Sequence, residues 1–347
     1  MARRKAARKE GPKDNRKYLV KNLKGVRLGP RPFMTGIEYY RVRRAAYAEE
    51  GTIYEDCRKL KYNADVFKDL KAQGRVRTTD PRHMDQMDIE AFLIWMRSKK
   101  YEVSTRRKYL SCLNSYLKFW GNHALADMWA RGDLRPFLKG EEKDIEFLEL
   151  EELQQIFEHI QGMEGYDGIV FRGYISIIFG IAGRPKEVID ARVGDVNTKD
   201  WMFYVRHPKA EGSWGKKEWI SIVRQDVHPM ITTFLQERKA YLKARGIRSD
   251  YLFVNPETLE SYSLKHIRDL KYRAERECGV KFKLKVFRPT WATLTFSKSP
   301  KMGLSINKQL RHEKFDTSKK YYIAYRNKQA KKDLQYEWEK TPLNLKK

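Results

Sequence analysis

Close to the carboxyl end of this chain, LRHEKFDTSKKYYIAYR (Leu310 to Arg326) sets three tyrosines among six basic residues, counting His312. Tyrosines in such company suit three purposes: a piece of core, a stacking surface for nucleic acid, or a nucleophile toward phosphate. Other cations precede them. AGRPKEVIDARVGDV places Arg184 at a Gly-Arg-Pro break that enters a helix, with Glu187 one turn on. Lys209 ends an extended aromatic segment, in RHPKAEG, and Arg288 stands directly before Pro289 in KLKVFRPTWATLTF. His312 follows Arg311, and Tyr321 comes nine residues after His312. Taken singly, each is what an ordinary helix start, solvated turn or packed ring supplies. As a set, guanidiniums, an ammonium, an imidazole and phenols are groups that grip and displace a phosphate ester.

Several other chemistries have no sequence to support them. No GxxxxGK[ST] appears, which sets aside a P-loop ATPase. No HExxH and no cysteine pair offers a zinc site, and the seven histidines lie singly. Carboxylates are plentiful, but their spacing singles out no set for two-metal nuclease work. The three cysteines, Cys57, Cys112 and Cys278, are far apart, which suits free thiols in a reducing cytosol.

In their order, the cationic and hydroxyl residues resemble the tyrosine recombinase family of the phage-integrase type. That family's catalytic domain carries an Arg with a Glu or Asp three residues on, a hairpin Lys, a His-x-x-Arg box, a Gly-His pair and a Tyr nucleophile. The matching positions are Arg184 with Glu187, then Lys209, Lys285-Val286-Phe287-Arg288, Arg311-His312 and Tyr321. RPTWATLTF looks like the family's helix after its second arginine, and Asp80 to Asp127 is similar to its helical core-binding domain. The resemblance therefore covers most of the chain from about residue 80 onward. There are two departures. Lys285 replaces the box histidine, a substitution familiar among archaeal-type members, and Arg311 replaces the glycine before His312.

The resemblance implies a site-specific recombinase or integrase working without metal, ATP or other cofactor. Arg184 and Arg288 would hold the non-bridging phosphate oxygens, and Glu187 would orient the cations. Tyr321 would be the nucleophile, with Tyr322 the neighbouring candidate and Tyr325 assigned to packing. Lys285 or His312 would take or relay the phenol proton, and Lys209 would protonate the departing 5′ oxygen. A 3′-phosphotyrosine conserves the energy of the broken strand for rejoining. The implied partners are double-stranded DNA attachment sites and three further copies of the chain, a homo-tetramer on two sites. In this family a C-terminal tail often docks on a neighbouring protomer, and AKKDLQYEWEK carries Leu334, Tyr336 and Trp338 for docking there or on its own domain. The alternatives are a type IB topoisomerase-like nicking and resealing enzyme, or a DNA-binding protein with a decayed site.

These residues need a scaffold, and 347 residues suffice for two domains with separate cores. A net charge of +27 favours a polyanionic partner. No apolar run approaches the roughly 20 residues that span a bilayer, and MARRKAARKEGPKDNRK has no apolar centre, so no membrane role is expected. Residues 1–38 read as a basic arm and 39–137 as a helical DNA core-binding domain. In the latter, Ile89, Phe92, Leu93, Trp95 and Met96 recur at helical steps. A second stripe, Tyr109, Leu110, Leu113, Tyr116, Leu117 and Trp120, follows Ser104 as its cap, with Arg106, Arg107 and Lys108 in the first turn as candidate phosphate contacts. Residues 138–146, LKGEEKDIE, read as a linker and 147–347 as the catalytic domain with its tail. There, WMFYVRHPK and KKEWISIV flank AEGSWG as a hairpin among helices. The expected fold is mainly α with a small β-hairpin or sheet, two domains forming a C-shaped DNA clamp.

Overall fold

The apolar repeat from Phe33 to Leu138 folds into six helices: α1 (Pro32–Arg44), α2 (Glu50–Ala72), α3 (Gln86–Ser98), α4 (Val103–Phe119), α5 (Ala124–Arg131) and α6 (Arg135–Leu138). The molecule is seen here in a computed structural model, which describes residues 23–140, 145–209, 211, 215–298, 300–313, 316 and 318. The chain divides into two compact units, Met1–Glu142 and Lys143–Lys347.

In the first unit, α3 starts where Asp85 accepts the Asp88 N–H at 3.0 Å and the Asp88 carboxylate accepts the Asp85 N–H at 3.2 Å. From α4, Leu110, Leu113, Tyr116 and Leu117 enter the core, as the spacing requires. Ser104 does not cap α4. The helix begins a residue earlier, and Glu102 holds the cap position without a side-chain bond. The segment expected as a basic arm, 1–38, runs into a helix. Pro32 opens α1, and Leu28, Phe33 and Ile37 are buried in the same core as α4. Gly36 makes that packing possible: a Cβ there would lie 2.3 Å from the Tyr116 hydroxyl, which donates to the Phe33 carbonyl at 2.7 Å.

The second unit runs α7 (Leu150–Gln161), α8 (Gly165–Gly180), α9 (Pro185–Ile189), β1 (Val196–Asn197), β2 (Met202–Val205), β3 (Glu218–Ser221), α10 (His228–Ala244), α11 (Leu264–Cys278), α12 (Phe287–Lys298) and α13 (Gly303–Leu310). IVFRGYISIIFG lies in α8, apolar all round and buried along nearly its whole length, so it forms the centre against which α7, α9, α10, α11 and α12 pack. The expected hairpin is β2 against β3, antiparallel, with Phe203 opposite Ile220 and Tyr204 opposite Trp219. Phe203, Val205 and Ile220 face inward, in the two-residue alternation of a strand. Strand β1 extends the pair to three strands in the order β1-β2-β3. Two residues are too few to show a pattern in sequence. Among the described residues no helix is long and apolar enough to cross a membrane, and no group of His, Cys, Asp and Glu could hold a metal ion. The three cysteines are free and buried.

Candidate active site

Three separate elements of the second unit meet at one carboxylate. Pro185 fixes the first residue of α9, and Arg184 precedes it in extended backbone. Glu187 reaches back to accept the Arg184 N–H at 3.1 Å and the Arg184 Nη1 at 2.9 Å. The same carboxylate accepts the Lys209 N–H at 3.4 Å, just beyond β2, and Nη2 of Arg311 at the end of α13. Glu187 is only 3% exposed. Burial by itself would push its carboxyl up, but Arg311 and then Arg184 outweigh that and hold it below the usual carboxylate range. Glu187 is therefore an anion that organises cations, not a proton donor.

Arg288, the second residue of α12, is also buried. Its Nη1 donates to the Ala182 carbonyl at 2.8 Å and its Nη2 to the Leu310 carbonyl. Ala182 belongs to the turn before Arg184, and Leu310 ends the helix before His312. One guanidinium thus ties the two turns that carry the neighbouring site residues.

Arg311 has φ of 52°, the left-handed conformation at the C-cap of α13. Glycine takes that shape with least strain, which accounts for the glycine in the recombinase pattern. Here the arginine adopts it and gains the Glu187 ion pair. His312 follows, and its Nδ1 lies 2.8 Å from Ser318 Oγ, which donates to Asn307 Oδ1 at 2.8 Å. Burial, then Arg288, Arg184 and Arg311, push the His312 imidazole down to about 4, so it is neutral at neutral pH.

Arg184, Lys209, Arg311 and His312 line a cleft of about 210 Å³, with Asn307, Lys216 and Lys308 also on its wall. Five Lys and Arg against Glu218 and Glu313 make the lining cationic, suited to an anion of phosphate type.

No family model and no curated protein matches this chain. Solved structures do. A complex of XerH site-specific recombinase with a palindromic difH substrate aligns over 84% of this chain and 92% of its own, with a TM-score of 0.60 and 15% identity. Tn1549 transposon integrase with circular intermediate DNA aligns over 84% and 95%, with a TM-score of 0.60 and 13% identity. A lambda integrase dimer bound to a COC′ core site aligns over 83% and 76%, with a TM-score of 0.56 and 12% identity. The fold is that of the tyrosine recombinases.

Of the residues in the tyrosine recombinase pattern, Arg184, Glu187, Lys209 and His312 come together, with Arg288 close enough for its charge to act on His312. Lys285 is exposed on the short 3-10 turn Leu284–Val286 ahead of α12 and, like Arg288, is not among the residues lining the cleft. Tyr321 lies outside the described residues, as do Thr317, Tyr322, Tyr325 and the tail with Leu334, Tyr336 and Trp338. In the first unit, Arg106 donates from Nε to the Tyr101 carbonyl at 2.8 Å and from Nη1 to the Phe137 carbonyl, so it holds the end of α6 in place. Arg107 is exposed and donates to the Leu138 carbonyl at 3.2 Å, while Lys108 is exposed. Asn307 and Ser318 escaped the sequence reading, and Arg311 entered it only as a departure. A polar residue inside a short helix and a serine in a lysine-rich stretch carry no mark of their partners. A cation where a helix must end in left-handed backbone was the one available signal.

Proposed function

We propose that this protein is a site-specific DNA recombinase or integrase that cuts and rejoins strands through a 3′-phosphotyrosine. The observation that carries the reading is the meeting of Arg184, Lys209 and Arg311 on the buried Glu187 carboxylate, beside His312, in a cleft of the tyrosine recombinase fold. The Arg184 and Arg311 guanidiniums held by a buried anion are set before the phosphate arrives, while Lys209 is placed there through its backbone N–H, so little reorganisation is needed as charge develops in the transition state.

In the proposed step, the phenol oxygen of Tyr321 attacks the scissile phosphorus and the bond to the 5′ oxygen breaks. Arg184 and Arg311 take the non-bridging oxygens, and Arg288 adds its charge. A phenol titrates near 10 and is a poor nucleophile until its proton has an acceptor. Neutral His312 is suited to accept it. The Lys209 ammonium supplies a proton to the 5′ oxygen as it leaves. Lys285, exposed on the turn ahead of α12, is assigned a phosphate contact outside the cleft. Arg107 and Lys108 are assigned backbone contacts from the helical unit. The reaction consumes no nucleotide, because the tyrosyl ester holds the bond energy until a 5′ hydroxyl of a second duplex attacks. Two DNA-gripping units and a tetramer on two attachment sites complete the proposal.

The test is a nicked suicide substrate carrying the chain's own attachment site. The wild-type protein is expected to trap a covalent adduct that maps to Tyr321 by peptide sequencing, and Tyr321→Phe is expected to trap none. A wild-type protein that binds the site and forms no adduct would refute the enzyme. Relaxation of supercoils without exchange between duplexes would refute the recombinase and leave a topoisomerase.

A further inference from the structure

Asn307 and Ser318 hold His312 in a single protonation form. The Asn307 side chain has one orientation open to it. Its Nδ2 donates to the His312 carbonyl at 3.0 Å, which leaves Oδ1 to face Ser318. The Ser318 hydroxyl, with one proton, donates that proton to Oδ1 at 2.8 Å. Toward His312 Nδ1, 2.8 Å away, Ser318 Oγ is then an acceptor, so Nδ1 carries the ring N–H. A neutral imidazole protonated at Nδ1 has its lone pair at Nε2. The arrangement is reinforced by the main chain, since the His312 N–H donates to the Asn307 carbonyl at 3.2 Å. Ser318 is fully buried, so water cannot take its place readily.

We infer that Asn307 and Ser318 form a positioning relay that fixes His312 with its proton on Nδ1 and presents Nε2 as the acceptor for the nucleophile's proton. The first half concerns the imidazole alone; the second rests on the function proposed above. The hydroxyl that sets the tautomer, on Ser318, lies three residues along the chain from the phenol of Tyr321. In the step, the phenol proton passes to Nε2 while the Oη–P bond forms, the P–O5′ bond breaks and Lys209 protonates the 5′ oxygen. The resulting imidazolium keeps its Nδ1–H bond to Ser318. A bound phosphate favours that cation, which the surrounding arginines alone oppose.

The tautomer is readable on the full-length protein from the two imidazole nitrogen-15 shifts of His312, assigned by their loss in His312→Gln. Wild type at pH 7 is expected to show Nδ1 protonated and Nε2 not; the opposite pattern overturns the relay and needs no variant that might fail to fold. Ser318→Ala is expected to lose the preference and Ser318→Thr to keep it. In single-turnover trapping on the nicked substrate, Ser318→Ala should slow adduct formation about tenfold or more, part of the roughly 10²- to 10⁴-fold that positioned acid–base groups contribute. DNA affinity should be unchanged, and Ser318→Thr should recover most of the rate. Equal rates in Ser318→Ala and wild type overturn the relay, as does a loss that Ser318→Thr fails to rescue. The expected tautomer in a wild-type protein that forms no adduct supports the relay at His312 and overturns the recombinase reading.

Discussion

Glu187→Gln keeps the shape of the side chain at the centre of the site and removes its charge. The carboxylate accepts two bonds from Arg184, at 3.1 and 2.9 Å, one from the Lys209 N–H at 3.4 Å and one from Arg311. In the variant, one oxygen becomes an NH₂ that faces other donors, and two guanidiniums lose their counter-charge. Removing one partner of a buried ion pair destabilises by roughly 3–5 kcal/mol. The Arg184 and Arg311 side chains are 22% and 10% exposed, so water relieves part of this. The lower end, about 3 kcal/mol, is the expected loss, equivalent to roughly hundredfold faster opening. Amide hydrogen exchange on the full chain measures it. Peptides covering 184–189 and 306–312 should exchange roughly a hundredfold faster in the variant, whereas a peptide from α3, in the other unit, should not change. The gap should also depend on pH. A carboxyl held below its unfolded value contributes fully above that value and loses the contribution as pH falls through the folded one. Wild type and variant should therefore converge in acid. An acceleration below about tenfold at neutral pH, or an equal change in both units, would refute the claim that this anion holds the site together.

His312 shifts stability in the same direction by a different route. Its imidazole is pushed down to about 4, so the unfolded chain takes a proton that the folded chain refuses, and stability falls as pH drops from about 6.5 toward 4. His312→Gln should lose about 1 kcal/mol less than wild type between pH 7 and pH 5.5, read from urea midpoints; parallel curves would contradict the shift. Gly173→Ala places a Cβ 2.3 to 2.5 Å from three atoms of the Phe234 ring, where α8 meets α10. It should lower stability by about 1–3 kcal/mol in a thermal melt, and an unchanged melting temperature would show that the helices separate freely. With a net charge of +27, DNA affinity should fall by about 10³-fold or more between roughly 50 and 200 mM salt; a flat response would exclude extensive phosphate contact.

The sequence by itself determined the helices and the identity of the cations. Leu110, Leu113, Tyr116 and Leu117 recur at steps that only a helix can turn to one side, and α8 is apolar on every face, so each places itself in a core. Short aromatic and β-branched runs on each side of the Gly-Ser-containing AEGSWG made the hairpin legible. Arg184, Glu187, Lys209 and His312 could be named because their order matched a known pattern. Adjacency could not be named. The bond from Arg311 to Glu187 joins residues 124 positions apart, and the one from Arg288 to Ala182 joins residues 106 apart. No local preference encodes such a contact, because it depends on how α9 and α12 pack on α8 and α13 on α12. The same stacking left Lys285 on the surface, although it stands three residues from Arg288 in a motif that reads as one unit. In the other unit, the packing of α4 against α6 gave Arg106 carbonyls to hold, where the chain showed only charge. Tertiary structure alone decided that Glu187 is an anion and His312 a neutral imidazole, since the guanidiniums within reach outweigh burial at Glu187 and act together with it at His312.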